Sequence, residues 1–304
     1  ENLRRAVERM LLGYLLKVGI ADTVAPFCDN VFARAGGAGS GELLVAAYAY
    51  SLQVFTDFAG YSLIARGVAA LFGYEVVNNF EQPYFSRSFS EFWRRWHISL
   101  STWIAEYVYT PLMSRTLSLV ERLQRFSPDG ELRVAYASVT VVTMILVGLW
   151  HGAGLHFVVW GGFHGLCLAF ERLFVFGHKA IPMRPRLRNT RDRFRAAGSA
   201  LLVFQLVTLG WVFFRADSVR GALVFLSRIV SAGGFRVPLK MLGMVGTGYA
   251  VAFLLTAIEY RRRDEWVMRS VPPLLRGAAY AAVVVYCVMV GGSGGPVPFI
   301  YFQF

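Results

Sequence analysis

The chain has 304 residues, of which 56% are hydrophobic, 15% aromatic and only 16% charged, against about 25% charged for an average soluble domain. With a mean hydropathy of +0.47, this argues against an ordinary cytosolic enzyme and excludes a disordered chain, which needs low hydrophobicity. Lys and Arg number 31 against 19 Asp and Glu, a net charge of +12, and an apolar chain usually carries such an excess in the cytoplasmic loops of a membrane protein.

The first ten residues are amphipathic and lack the short apolar core of a secretory signal. Residues 10–25 form a weak candidate span, because Lys17 and Asp22 interrupt it. Residues 43–65 form a stronger one, broken only by Asp57. The segment around FWRRWHISLSTW reads as one amphipathic helix. Phe89, Phe92, Trp96, Leu100, Trp103 and Tyr107 recur every three or four residues, and Glu91, Arg95, Ser99, Thr102 and Glu106 form the opposite stripe. A helix this polar cannot face lipid. It should lie at the interface or dip into a protein-lined cavity, with His97 at the edge of its apolar face.

The longest uncharged window, 134–170, has 37 residues. A helix needs about 20 to cross the hydrocarbon, so two helices are expected, meeting at Gly148-Leu149-Trp150-His151-Gly152. Further windows cover 196–214 and 241–258, and nothing charged follows Arg276, although the GGSGGPVP run must end the last helix. About six crossings result, plus at least one helix that does not span. Residues 178–195 hold seven Lys and Arg against one acid, and Arg261, Arg262 and Arg263 open a second basic loop. The positive-inside rule places both in the cytoplasm, and the two crossings between them agree. The loop between those crossings also carries Arg215, Arg220, Arg228 and Arg236, which weighs against that orientation. The bland reading of the basic loops is topology and headgroup contact, and no nucleic-acid motif accompanies them.

Ionisable groups inside an apolar matrix are costly and point to function. His151, His156 and His164 all lie in the 134–170 window. The bland alternatives are specific. His151 could cap a freed carbonyl at the helix break, and His97 could be a simple interfacial residue. His164 should pack against a neighbouring helix, His156 is incidental and His178 is a loop residue. Asp57 is expected to pair with an arginine or face a cavity. Trp93, Trp96 and Trp103 read as interface anchors. Cys28, Cys167 and Cys287 read as buried small hydrophobes, in neither a disulfide nor a metal pattern.

The blocks FWRRWHISLSTW and GLWHGAG…WGGFHG resemble the two characteristic blocks of the membrane-bound O-acyltransferases, and in particular the bacterial alginate O-acetyltransferases and related polysaccharide acetylation proteins. QVFTDFAGYS, NFEQPYFSRSFSEFW, GWVFFRADS and the terminal PFIYFQF extend the likeness along most of the chain. Ala105-Glu106-Tyr107, Met113-Ser114 and Gly154-Leu155-His156 depart from the family pattern. The resemblance implies an all-α polytopic transmembrane bundle with interfacial or re-entrant helices around a central chamber. It further implies a single membrane-bound O-acyltransferase domain over 1–304, lacking several N-terminal crossings. The implied reaction moves an acetyl or similar short acyl group from a cytoplasmic thioester, acetyl-CoA or an acyl carrier protein. The acceptors are hydroxyls of an extracytoplasmic polysaccharide, or a periplasmic acyltransferase partner, at the inner membrane. His151 maps to the catalytic histidine and His97 to the second functional position. No metal or tightly bound cofactor is implied. Histidine suits the task, since an attacking alcohol must lose a proton near neutral pH and the oxyanion needs donors. An acyl conduit or transporter feeding a partner enzyme is the alternative.

Overall fold

The computed structural model describes residues 2–123, 128–176, 189–233, 236–262, 267–291 and 299. In chain order the helices are α1 (Asn2–Leu16), α2 (Asp22–Ala33), α3 (Ser40–Leu71), α4 (Phe89–Arg95), α5 (Ile98–Ile104) and α6 (Thr110–Leu123), then α7 (Pro128–His151), α8 (Leu155–Phe170), α9 (Thr190–Arg215), α10 (Val219–Ser231), α11 (Leu239–Arg262) and α12 (Pro273–Gly291). Wider π-helical turns follow α1 (Lys17–Ala21), α5 (Ala105–Tyr109) and α8 (Glu171–Phe176). No strand occurs among the described residues. This is the expected all-α polytopic bundle.

Among the described residues, seven helical stretches are long and apolar enough to cross a bilayer, against the six or so expected. They include Leu3–Ala33, the weak N-terminal candidate. Its two interrupting charges, Lys17 and Asp22, pair with each other. Lys17 Nζ lies 2.7 Å from Asp22 Oδ1 and 2.6 Å from Asp57 Oδ1 on α3. The pairing expected for Asp57 is therefore found, with a lysine in place of an arginine. Helices α4, α5, α6 and α10 are too short to cross.

Contacts divide the chain into two compact units, one made of Glu1–Gln82 with Leu223–Phe304, the other of Pro83–Ala222. In the first, α1 and α3 pack backbone to backbone. A Cβ at Gly60 would sit 2.7 Å from the carbonyl oxygen of Gly13, the close approach that small residues permit between membrane helices. Buried Glu8 accepts from the hydroxyl of Tyr280 (2.5 Å) and the backbone N–H of Met268 (2.8 Å), which docks α12 onto α1.

The second unit is built on the α7–α8 hairpin. Gly148, Gly161 and Gly165 all face the opposite helix: an added Cβ would strike the backbone of Phe157, Met144 and Val141 respectively. The helices therefore touch along their length, and α9 packs against α8.

Of the two basic loops, residues 177–188 and 263–266 lie outside the described residues, as do 292–298 of the glycine-rich run and all of the terminal motif except Phe299. The first loop re-enters the structure at Asn189, whose side chain accepts the Asp192 N–H at 2.8 Å and starts α9. A cysteine placed there (Asn189→Cys) is expected to escape a membrane-impermeant thiol reagent applied from outside the cell. Rapid labelling would overturn the cytoplasmic assignment.

Candidate active site

The expected break in the long uncharged window is present. Helix α7 ends at His151, three residues turn the chain, and α8 begins at Leu155. The Gly152 N–H closes on the Leu149 carbonyl at 3.2 Å. Gly152 also leaves room for the ring of Phe157, which a Cβ would meet at 2.6 Å. The turn thus holds His151 at the end of a rigid hairpin.

The segment carrying His97 differs from the single helix expected. Ser88 caps α4, its Oγ accepting the Glu91 N–H at 3.0 Å. The helix stops at Arg95, Trp96 is extended, and His97 adopts a left-handed conformation at φ +44°, ψ +57° before α5 starts. A non-glycine residue is uncommon there and is held by its surroundings at a cost of roughly 1–3 kcal/mol. Ser101 secures the break, with its N–H on the His97 carbonyl (2.9 Å) and its Oγ–H on the Trp96 carbonyl (3.1 Å).

Around the break the stripes hold only in part: Phe89, Phe92 and Trp96 are buried and Ser99, Thr102 and Glu106 exposed, but four residues run against them. Glu91 and Arg95, from the polar stripe, are only 1% and 4% exposed, whereas Trp103 and Tyr107, from the apolar stripe, are 53% and 61% exposed. The cause is an ion network. Glu91 accepts from Arg95 Nη2 at 2.5 Å and from Arg87 through Nη2 (2.9 Å), Nε (3.1 Å) and the backbone N–H (2.8 Å). Buried charge is tolerated when paired and hydrogen-bonded in this way. Trp96 is likewise not an interface anchor but a core residue, ringed by Phe92 and Trp211 at 5.6 and 5.0 Å.

A residue that sequence reasoning missed fixes α4 to the hairpin. The Glu171 carboxylate, just after α8, accepts from the backbone N–H groups of Phe89 (2.5 Å) and Ser90 (3.0 Å) and from Ser90 Oγ (3.1 Å). It caps a helix 81 residues earlier in the sequence. Nothing local marks it, because the orphan N–H groups it satisfies belong to another segment.

Between these elements lies an aromatic nest. His151 is buried, with ring centroids of Trp150, Phe214 and Trp160 at 4.8, 5.0 and 5.2 Å, all edge-on. His97 belongs to the same compact unit as His151. His164 is fully buried one ring further in, beyond Trp160 (5.0 Å) and among Phe89, Phe92, Trp93 and Trp211. It meets neighbouring helices, as its place in α8 suggested. Gly210 on α9 leaves the space its ring needs, since a Cβ there would lie 2.8 Å from Nε2. His156 packs on Phe157 at 4.2 Å, and His178 lies outside the described residues. Cys28 is buried, whereas Cys167 and Cys287 are half-buried.

Burial pushes His97 down to about 4 from its ordinary 6.5. It is therefore neutral at physiological pH and offers one N–H and one lone pair. The unfolded chain binds a proton between pH 6.5 and about 4 that the folded protein does not. Stability should therefore fall as pH drops through that window, then level off below it. Melting temperature against pH should show this slope, reduced in His97→Gln; an unchanged slope refutes it.

Residues 1–127 match the family model of MBOAT, the membrane-bound O-acyltransferase family. That stretch includes His97 and ends before His151. The chain is 35% identical over 229 residues to the probable alginate O-acetylase AlgI of Pseudomonas aeruginosa, covering 75% of this chain and 39% of that protein. It is 33% identical over 223 residues to the peptidoglycan O-acetyltransferase of Helicobacter pylori, covering 73% and 38%. With the teichoic acid D-alanyltransferase of Streptococcus thermophilus it shares 29% over 221 residues, covering 70% and 51%. The chain thus spans about two fifths to one half of the length of these relatives.

Proposed function

Over residues 1–127 the chain is membrane-bound O-acyltransferase sequence, and on that premise we propose that it acts in moving a short acyl group, such as acetyl, onto hydroxyls of an extracytoplasmic polysaccharide. The donor is a cytoplasmic thioester, acetyl-CoA or an acyl carrier protein, and the protein is a multi-pass component of the inner membrane. The relatives' names support this class, since all three transfer an acyl group and two are named for a polymer acceptor in the wall.

The observation that carries the reading is buried His151 at the end of a glycine-locked hairpin, with His97 in a left-handed turn of the same compact unit. His151 takes the proton of the attacking hydroxyl as its oxygen bonds to the thioester carbonyl. The three aromatic rings packed edge-on within about 5 Å of His151 keep bulk water from the proton in transit. Neutral His97 donates its N–H to the developing oxyanion. When the carbonyl re-forms, the carbon–sulfur bond breaks and the thiolate leaves with the proton from His151. With the basic loops in the cytoplasm, the α7–α8 turn lies at the extracytoplasmic end of its helices, where a polysaccharide hydroxyl can approach.

The test is transfer of labelled acetyl from a thioester by the protein in lipid nanodiscs, with a soluble oligosaccharide as acceptor. His97→Ala should slow turnover about tenfold, the loss of one good hydrogen bond in the transition state, while membrane insertion is unchanged. Undiminished transfer by His97→Ala removes its direct role. Binding of thioester without any transfer favours the conduit.

A further inference from the structure

Within the Pro83–Ala222 unit, a partly open cavity of about 320 Å³ lies between α4, α5, α7 and α8. Its lining includes Trp93, Leu100, Ile104, Met144, Val147 and Leu168 and is mostly apolar. Neither His97 nor His151 lines it. Trp93 is four residues before His97 and Thr143, also in the wall, is eight before His151, which is about 12 Å along a helix.

The polar groups of the lining are few, and most are already engaged. Ser90 Oγ bonds Glu171, Ser101 Oγ bonds the Trp96 carbonyl and Thr140 Oγ1 bonds the Tyr136 carbonyl. Two buried groups have no hydrogen-bond partner among the described residues: Trp93 Nε1–H and Thr143 Oγ1. Thr143 is itself 95% buried (5% exposed). A buried polar atom normally has a partner. Both of these can donate, so the missing group is an acceptor such as a carbonyl oxygen. The rest of the cavity offers alkyl contact, and its α7 wall, residues 140–147, falls in the middle of the Leu132–His151 span. A water-soluble arm with several amides would lose most of its hydrogen bonds there. A hydrocarbon chain loses none.

We propose that this cavity is a lipid site: it takes an acyl chain of a bilayer glycerophospholipid, whose ester carbonyl accepts from Trp93 Nε1–H and Thr143 Oγ1–H. Arg94, an exposed residue of the same wall, adds positive charge beside the site. Trp93 and Val147 each stand one helical turn from a histidine, so the chain completes the wall behind the His97–His151 pair. The proposal rests on the span assignment and not on the histidine chemistry, so it stands or falls apart from the acyl-transfer reading.

The test uses a phospholipid carrying a diazirine in its acyl chain, with the whole protein in nanodiscs. Photolabelling should concentrate on peptides containing Trp93, Ile104 and Met144–Val147, and excess unlabelled phospholipid should compete it away while acetyl-CoA does not. Thr143→Val should reduce cavity labelling about fivefold, the size of one hydrogen bond. Ala105→Phe, which fills the cavity from an exposed position, should abolish it. Labelling spread evenly over all lipid-facing helices and indifferent to Ala105→Phe would mean annular lipid only and overturn the site. Competition by acetyl-CoA but not by phospholipid would assign the cavity to the donor and overturn it equally.

Discussion

His151→Ala is expected to lower acyl transfer by on the order of 10²–10⁴-fold, the usual contribution of a positioned general base. The side chain ends α7 where the chain turns, so truncation removes the proton acceptor without disturbing the Gly148, Gly161 and Gly165 contacts that hold the hairpin. His164→Ala provides the contrast. That ring is fully buried in an aromatic cage, and its two nitrogens have no hydrogen-bond partner among the described residues. Its loss empties core volume and costs stability, typically about 2–5 kcal/mol for a large buried side chain, with a smaller effect per folded molecule on turnover. Steady-state transfer and melting temperature, measured together, separate the two. A well-folded His151→Ala protein with near-normal turnover refutes its role as base, and an equal loss from a fully stable His164→Ala protein would move the base one ring inward.

Lys17→Met is expected to destabilise the protein by about 3–5 kcal/mol, the range for breaking a buried ion pair from one side. Lys17 sits in the π-helical turn after α1, between Asp22 and Asp57, with its ammonium also 4.7 Å from the Phe299 ring. Removing it leaves two carboxylates close together in the membrane. The triple variant Lys17→Met, Asp22→Asn, Asp57→Asn removes the charges as a set, so it should recover most of the loss, as uncharged replacements of buried ion pairs commonly do. Thermal unfolding in nanodiscs decides this. If the triple variant is as unstable as Lys17→Met, the cluster does more than neutralise itself.

The spans were legible in the sequence because the bilayer sets their length and hydropathy whatever the neighbouring helices do. The windows 43–65, 134–170, 196–214 and 241–258 all recur in helices long and apolar enough to cross, with 134–170 divided at GLWHG as its length demanded. His151 was legible for the same reason: a window too long for one crossing must break, and it breaks between glycines. The histidine cluster could be seen as composition, but not which ring meets which.

Tertiary structure alone decided the rest. Periodicity in 89–107 shows that two faces differ, but not which is inside. In water the aromatic stripe would be buried. In a membrane protein an exposed Trp103 or Tyr107 costs little, whereas Glu91 and Arg95 must find each other within the fold. The pattern therefore breaks at His97, with Glu91 and Arg95 buried before the break and Trp103 and Tyr107 exposed after it. Lys17 and Asp22 interrupt an apolar window on paper, and only the fold shows that the two pair with each other and that Asp57, 40 residues from Lys17, joins them. Glu171 reads as one loop-edge acid until α4 is set against α8 and its backbone N–H groups need an acceptor. In each case the deciding term is an interaction between charges or hydrogen-bonding groups far apart in the chain. Its energy depends on distance and burial, which a linear pattern does not contain.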